Sequence, residues 1–572
     1  MSADADFRPT QLPAMLAYGA HGPQPYFDER AAAVARLYDG IMFVAGPWDE
    51  GVSGHLDLEG PPVATPWARA LQRNVAALTA AGAGSNLLGV LFAPEAAWPS
   101  AETLRSRAYL EKMVRHFGRL GACAAAMGFH GVAVDVEYPY PRYSLEHESY
   151  TYTDHSAADL LACARGQGRA AVEALLDGFP AAPVFVLPGT FRSRPLERAF
   201  MLGMLDAMVA RDAPGGMHLA YERSYCLHDP ATQVAIPREA DCWAQVHLPS
   251  RASAYWRRNC TVAPGVWPLH MAETGARDYP LRSWDEELEE LAGQLAILDR
   301  VAKRYVWSFT AHPVWCEADP EVQNRFSLKA PSFVGGEAAV RGWHELLRAR
   351  RGGATAVPAG VEPLLRAVAA FDAGRLDACG LCDRFGTPGA WSILGPLGSP
   401  FAAPAFAAPP GAPEPLPPEE VVHGPHGAIR WFAHRSVEPT GRVLLREVFD
   451  WRRTDHAEAQ LVCDLECDRE VSGCLCLGWD DGLAVWLDGR PLFDQRSPAS
   501  HGGLLYRDRL QFEERLPVTL SRGSHRLAVR CVNHQGEWGF NLRLTGPDGM
   551  PATGLHFGPA ACAGEAAATG RG

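Results

Sequence analysis

Apolar residues over the first 320 positions gather into eight short, nearly unbroken runs with amphipathic stretches between them. The runs are 14–20 (AMLAYGA), 40–47 (GIMFVAGP), 87–94 (LLGVLFAP), 131–138 (GVAVDVEY), 183–190 (PVFVLPGT), 217–223 (MHLAYER), 261–269 (TVAPGVWPL) and 305–311 (YVWSFTA). Continuous apolar runs of this length are the signature of strands buried on both faces. In the stretches between, the period changes. Over 101–127, Leu104, Tyr109, Met113, Phe117 and Leu120 recur at helical spacing. Comparable stretches lie at 28–38, 65–82, 156–178, 195–211 and 284–304, with 236–259 the least regular, and a last helix is expected at 336–351. Eight strands alternating with helices predict a (β/α)8 TIM barrel. An open doubly wound sheet is the competing arrangement, but no glycine-rich phosphate loop follows the first run.

The texture changes after 352. A helix candidate occupies 361–373, and 395–418 (GPLGSPFAAPAFAAPPGAPEPLPP) is so rich in proline that no regular element is expected there. From 428 to 546 short alternating runs separated by turn signals predict an antiparallel β-sandwich. The expected organisation is a barrel domain over 1–352, a linker with a helix over 353–388, a sandwich over 389–560 and a disordered tail over 561–572.

Composition narrows the partners. The net charge of −13 is carried without any basic tract, so neither nucleic acid nor an anionic membrane is an expected partner. No run of about 18 apolar residues is present, so no membrane-spanning helix is expected. The opening MSADADFRPTQLP has neither a basic n-region nor an apolar h-region, which predicts no secretory signal and a cytoplasmic location. The 14 cysteines are then expected as thiols, and the CxxC at Cys379 and Cys382 has no second pair to complete a metal site.

Two runs carry family resemblances. WDDGLAVWLDGRPLF (479–493) followed by LSRGSHRLAVRCVNHQGEWGFNLRL (520–544) resembles the sandwich modules that accompany many glycoside hydrolases, and Trp391-Ser-Ile-Leu-Gly-Pro resembles their opening strand. Its physical content is a tight turn at Asp488-Gly489 between two half-buried strands. Such modules bind sugar or pack beside a catalytic barrel. GFHGVAVDVE (128–137) is similar to the fourth-strand signature of family-18 chitinases, approximately GxDGxDxDxE. It keeps Asp135 and Glu137 but carries His130 and Ala133 at the two earlier acidic positions. MHLAYERSY (217–225) resembles the sixth strand of the same family, with Glu222 replacing its aspartate, and pairs an E-x-S-Y motif (Glu222, Ser224, Tyr225) with the D-x-E of strand four. The resemblance implies a TIM-barrel member of the glycoside hydrolase superfamily, a carbohydrate substrate and no cofactor.

In TIM barrels the chemistry sits at the C-terminal ends of the strands. Those ends offer Tyr18 and His21; Trp48, Asp49 and Glu50; Glu95; Asp135, Glu137 and Tyr138; Thr190; Tyr221, Glu222 and Tyr225; His270 and Glu273; and Trp307, His312 and Trp315. Carboxylates can meet sugar hydroxyls there, and aromatic rings can meet the C–H face. Glycoside cleavage needs one carboxyl to protonate the leaving oxygen and a second to attack the anomeric carbon or activate water. Glu137 is the expected general acid, Asp135 the neighbour that tunes its pKa, and Glu222 the opposing nucleophile or base, with Glu273 as runner-up. Tyr18, Trp48, Asp49, Tyr138, Tyr221, Tyr225, His270, Glu273 and Trp307 are the expected substrate contacts. Blander roles compete: an Arg223 ion pair for Glu222, barrel filling for Trp307, and loop capping for Asp49 and Glu50. Two other functions compete as well. One is a non-catalytic carbohydrate-binding protein on a decayed barrel. The other is a metal-dependent hydrolase or lyase using His270, His312 and Asp135, although no HxH or HExxH spacing appears and no metal is expected.

Overall fold

A computed structural model describes residues 12–44, 61–91, 104–136, 156–191, 195–225, 229–268, 284–309, 314–326, 328, 336–353, 355–398, 412–413, 421–424, 427–450, 454–495, 512, 514–534, 536 and 538–560. The chain divides into two compact units, residues 1–228 with 249–358 and residues 229–248 with 359–572.

The first unit is a closed ring of eight parallel strands: β1 (Ala14–His21), β2 (Gly40–Val44), β3 (Leu87–Leu91), β4 (Gly131–Asp135), β5 (Val184–Leu187), β6 (Met217–Tyr221), β7 (Thr261–Val266) and β8 (Tyr305–Ser308). Each lies within one of the eight apolar runs except β1, which extends one residue past its run to His21. The ring closes where β1 pairs with β8 from Ala14–Tyr305 to Ala17–Ser308. Helices Pro25–Ala35, Pro66–Ala80, Arg107–Met127, Ala157–Gly178, Pro195–Arg211, Ser250–Asn259, Trp284–Val301 and Gly336–Arg351 alternate with the strands. Several begin where the sequence supplies an N-cap: Thr65 Oγ1 accepts from the Ala68 N–H at 3.0 Å and Ser156 Oγ from the Asp159 N–H at 3.1 Å. No helix among the described residues is long and apolar enough to cross a membrane.

The irregular stretch between β6 and β7 has a physical explanation. Residues 229–248 form helices Pro230–Ala235 and Glu239–His247 joined by the 3-10 turn Ile236–Arg238. Every residue from Ala231 to Ala244 is buried, so no polar face exists to produce an amphipathic period. The charges that this burial traps are matched within the second unit. Arg238 forks onto Asp372 at 2.8 and 2.6 Å, Glu239 accepts from the Thr440 hydroxyl at 2.9 Å, and Asp229 holds Arg543 while capping the Thr232 N–H.

The rest of the second unit holds helices Glu362–Asp372 and Ala378–Arg384, a small hairpin of Val422–Gly424 with Gly427–Ile429, and a sandwich of two antiparallel sheets. One orders its strands Phe432–His434, Trp391–Gly398, Ala457–Cys467, Gly523–Asn533, Gly482–Leu487 and Arg490–Gln495, with Leu555–Pro559 also paired to Ala457–Cys467. The other runs Arg442–Leu444, Gly539–Thr545, Val471–Trp479 and Glu514–Leu520. Trp391, Leu461, Leu477, Val485, Val529, Trp538 and Phe540 belong to one buried cluster. Asp488 and Gly489, at φ 51° and 75°, make the two-residue type I′ turn that the DG pair predicts. One expectation fails at the proline-rich stretch, because strand Trp391–Gly398 extends into it. Leu394 pairs with Gln460 but Leu397 pairs with Glu458, a bulge that leaves Gly395 and Pro396 outside the regular ladder, where no N–H is required. Residues 561–572 lie outside the described residues.

A buried ion pair ties the barrel's last helix to helix Trp284–Val301, and the same arginine reaches the residue before β1. Arg350, 2% exposed, donates to both oxygens of Asp299 at 2.8 and 3.1 Å and to the Pro13 carbonyl at 2.7 Å. Burial raises the Asp299 pKa and the Arg350 charge opposes that rise. Arg350→Ala leaves a buried carboxylate and a carbonyl without their donor. Chemical denaturation is expected to show a loss of about 3–5 kcal/mol, most of it restored in Arg350→Met/Asp299→Leu.

Candidate functional site

Strand parity decides which residues face the barrel interior. Asp135, the last residue of β4, pairs in register with Leu187. Leu187 belongs to the interior cluster with Leu16, Met42, Leu87, Ala133, Phe185, Ala220, Ala263, Tyr305 and Trp307. Asp135 therefore takes the inward parity at the C-terminal rim and is half-buried there. Glu222 is the first residue past the C-terminal end of β6 and it too is half-buried. The strands carrying the two acids flank β5. Tyr221 pairs with Pro264 in the opposite parity and is buried on the outer side of the wall.

A compact turn carries Glu222. The Tyr225 N–H donates to the Glu222 carbonyl at 2.8 Å, closing residues 222–225. The Tyr225 ring enters an aromatic cluster at the mouth. Its centroid lies 5.5 Å from Trp307, 5.6 Å from Trp267 and 5.9 Å, stacked, from Phe309. Tyr18 packs 6.0 Å from Trp307 and 5.5 Å from Phe309, and Trp267 lies 5.0 Å from Phe309. Trp307 is 1% exposed and donates its indole N–H to the Ala263 carbonyl at 3.0 Å, so it supports the cluster from below. Gly265 on β7 makes room for it. A Cβ there would fall 2.5 Å from Tyr225 Cε1 and 2.9 Å from Trp307 Cε2.

Of the residues expected from the sequence, the structure gathers Tyr18, Asp135, Glu222, Tyr225 and Trp307 at or inside the mouth. Glu137, Tyr138, Trp48, Asp49, Glu50, Glu95, His270, Glu273 and His312 lie outside the described residues. His21 ends β1 and is exposed, Thr190 is buried just past β5, and Trp315 packs on Tyr26 and Phe27 of the first helix at 5.6 and 4.7 Å. Trp267 and Phe309 escape a strand-end reading. Their signal was present in the period of two, which sets Trp267 in phase with Gly265 and Phe309 in phase with Trp307. Among the described residues no three His, Cys, Asp or Glu side chains come together as a metal site, and the described cysteines are all free thiols.

The departures from the chitinase-like signature have structural counterparts. Ala133 sits in the apolar interior cluster, so the position beneath Asp135 on the same strand face offers no second carboxyl. His130 precedes β4 at the opposite, N-terminal end, where its Nε2 meets the Tyr305 hydroxyl at 3.0 Å. His218 lies in the same end layer, 4.9 Å from the Tyr305 ring and 5.1 Å from Phe185. Its Nε2 meets the Gly215 carbonyl at 3.0 Å, so that nitrogen carries the proton and Nδ1 accepts from the Thr261 hydroxyl at 3.0 Å. Complete burial lowers its pKa to about 3, with Arg304 adding to the effect.

No family model matches the chain, and no curated protein matches it. Solved structures that resemble it include glycoside hydrolases. A GH5_18 protein from Streptomyces cattleya, in complex with Manb1-4GlcNAc, is 13% identical with a TM-score of 0.32, over 61% of this chain and 82% of that one. A GH18 chitinase from Pseudoalteromonas aurantia is 11% identical with a TM-score of 0.28, over 52% of this chain and 93% of that one. An oxidoreductase, morphinone reductase in complex with tetrahydroNAD, is similar to the same degree: 13% identity and a TM-score of 0.31 over 58% and 93%. The chain spans about a third (34%) of an anti-sigma factor domain-containing protein from Clostridium clariflavum, at 13% identity and a TM-score of 0.16 over 19% of this chain.

The His218 layer gives the barrel an acid-side weakness. A buried histidine held neutral stays at full benefit above its unfolded pKa of 6.5, and the benefit is lost as pH falls toward the folded value of about 3. From pH 7 to pH 5 this group alone is expected to remove about 2 kcal/mol from barrel stability. Urea unfolding across that range should show the slope, and His218→Gln should flatten it.

Proposed function

We propose that this protein is a glycoside hydrolase that cleaves an oligo- or polysaccharide at the C-terminal mouth of the barrel. One observation carries the reading. Two half-buried carboxylates at the C-terminal ends of β4 and β6, Asp135 and Glu222, stand on the same end of the barrel as the rings of Tyr18, Tyr225, Trp267 and Phe309. Carboxylates suit sugar hydroxyls and the charge that develops at the anomeric carbon, while ring faces suit the apolar C–H surface of a pyranose. In this reading Glu137 protonates the leaving oxygen, Asp135 tunes it, and Glu222 acts from β6 as nucleophile or base.

The apolar setting of Ala133 favours a second reading, a sugar-binding protein that retains the mouth but not turnover. A panel of chromogenic glycosides and oligosaccharides separates the two. Under the hydrolase reading the wild type turns over at least one substrate. Glu137→Gln and Glu222→Gln each lose about 10²–10⁴-fold in kcat with unchanged far-UV circular dichroism. Calorimetric sugar binding that is equal in wild type and Glu137→Gln, with no product from either, would decide for the binding protein.

A further inference from the structure

Ser224 and Tyr225 grip the same residue of the neighbouring strand in two different ways. The Ser224 hydroxyl, on a side chain 1% exposed, lies 2.7 Å from both the N–H and the carbonyl of Gly265. It accepts from the first and donates its single proton to the second, with the Tyr221 carbonyl at 3.0 Å as the alternative acceptor. These two Gly265 groups face β6 just beyond that strand's last paired residue, Tyr221. One side-chain oxygen thus does what the next residues of a longer β6 would have done. Gln294 Nε2 adds a bond to the Ser224 carbonyl at 2.5 Å, holding the turn from the helix side. On the inward face of Gly265, the Tyr225 ring fills the space a Cβ would have taken.

We propose that Ser224 is a positioning residue: its hydroxyl clamps the 222–225 turn onto Gly265 and so sets Glu222 and the Tyr225 ring as one unit. The proposal rests on the reading of Glu222 as a reacting carboxylate. It departs from a purely structural role in one respect. A buried serine that only adds stability lowers the unfolding midpoint and leaves the folded enzyme's kinetics alone. A clamp acts through Glu222, and misplacing a reacting group by about 1 Å costs roughly 10²-fold in rate.

The test places Ser224→Ala in the wild-type and Glu222→Gln backgrounds and measures kcat/KM on a glycoside the wild type cleaves, with near-UV circular dichroism of each protein. The expected result is a loss of about 10–100-fold in the wild-type background and no further loss beside Glu222→Gln, because the two changes act on one element. Ser224→Thr, which keeps the hydroxyl, should recover most of the activity. The near-UV spectrum should change in Ser224→Ala while the far-UV spectrum does not, reporting movement of Tyr225 against Trp267 and Trp307. Equal losses in both backgrounds, or unaltered kinetics, would overturn the clamp. If the wild type cleaves nothing, the hydrolase reading fails by itself. The near-UV spectrum then still decides the clamp, and an unchanged spectrum in Ser224→Ala rejects it.

Discussion

Closure of the parallel ladder is the constraint on which the rest of the barrel unit depends. Once β8 pairs with β1 through Ala14–Tyr305 and Leu16–Trp307, every strand's alternation is tied to every other's. The register then runs round the ring: Leu16 and Trp307, Tyr18 and Met42, Ala133 and Phe185, Asp135 and Leu187, Ala220 and Ala263 all share the inward parity. A slip of one residue in any strand would exchange its inward and outward sets. The inward position of Asp135 is therefore a property of the ring as a whole, and the link from sequence to site passes through pairing rather than through any local motif.

The same closure makes the mouth asymmetric. The rings of Tyr18, Trp267, Tyr225, Trp307 and Phe309 come from β1, the exit of β6, β7 and β8, and they crowd one side. Asp135 comes from β4, the strand opposite β8 in the ring, so acid and aromatic surfaces confront each other across the opening. Crowding that many rings demands a gap in the wall, and Gly265 supplies it. Glycine weakens a strand by its conformational entropy. Here the weakness falls where the Ser224 hydroxyl adds two bonds to the same residue, and Trp307 adds its indole bond to Ala263 nearby. Local loss and local compensation occupy one spot.

Much of the barrel could be read from the chain because its strands are buried on both faces and each helix has one wet side. That contrast in period survives in AMLAYGA, GIMFVAGP and GVAVDVEY and in the apolar spacing of 101–127. Where a helix is buried all round, as from Ala231 to Ala244, the period vanishes and so does its legibility. Proline misleads at Pro396 for a related reason: the cost of a missing N–H depends on whether a partner faces it, and a bulge removes the partner. At the site, acids announce themselves in an apolar run, so Asp135 and Glu222 stand out. Trp267 and Phe309 do not, because an aromatic at a strand end looks the same whether it fills the core or lines a mouth. Ser224 stands out only as a member of the E-x-S-Y motif, because a hydroxyl bonded to backbone leaves no mark in the hydrophobic pattern.

Three kinds of layer stack along the barrel axis, and their separation has a chemical consequence. The N-terminal end holds His130 against Tyr305 and a buried, neutral His218 whose Nδ1 accepts from Thr261. Above them Leu16, Met42, Ala133, Ala220 and Ala263 form an apolar filling. Only beyond that do Asp135, Glu222 and the aromatic mouth appear. An acid at Ala133 would have bridged the two ends and placed a second negative charge beneath Asp135, raising one of the pair's pKa values by repulsion. With a methyl group there, the strand face beneath Asp135 carries no charge of its own. The charged groups that act on His218 are Arg304 and His130, and both belong to the N-terminal end. An apolar layer thus separates Asp135 from His218, so replacing Asp135 should leave the acid-side stability slope of His218 in place.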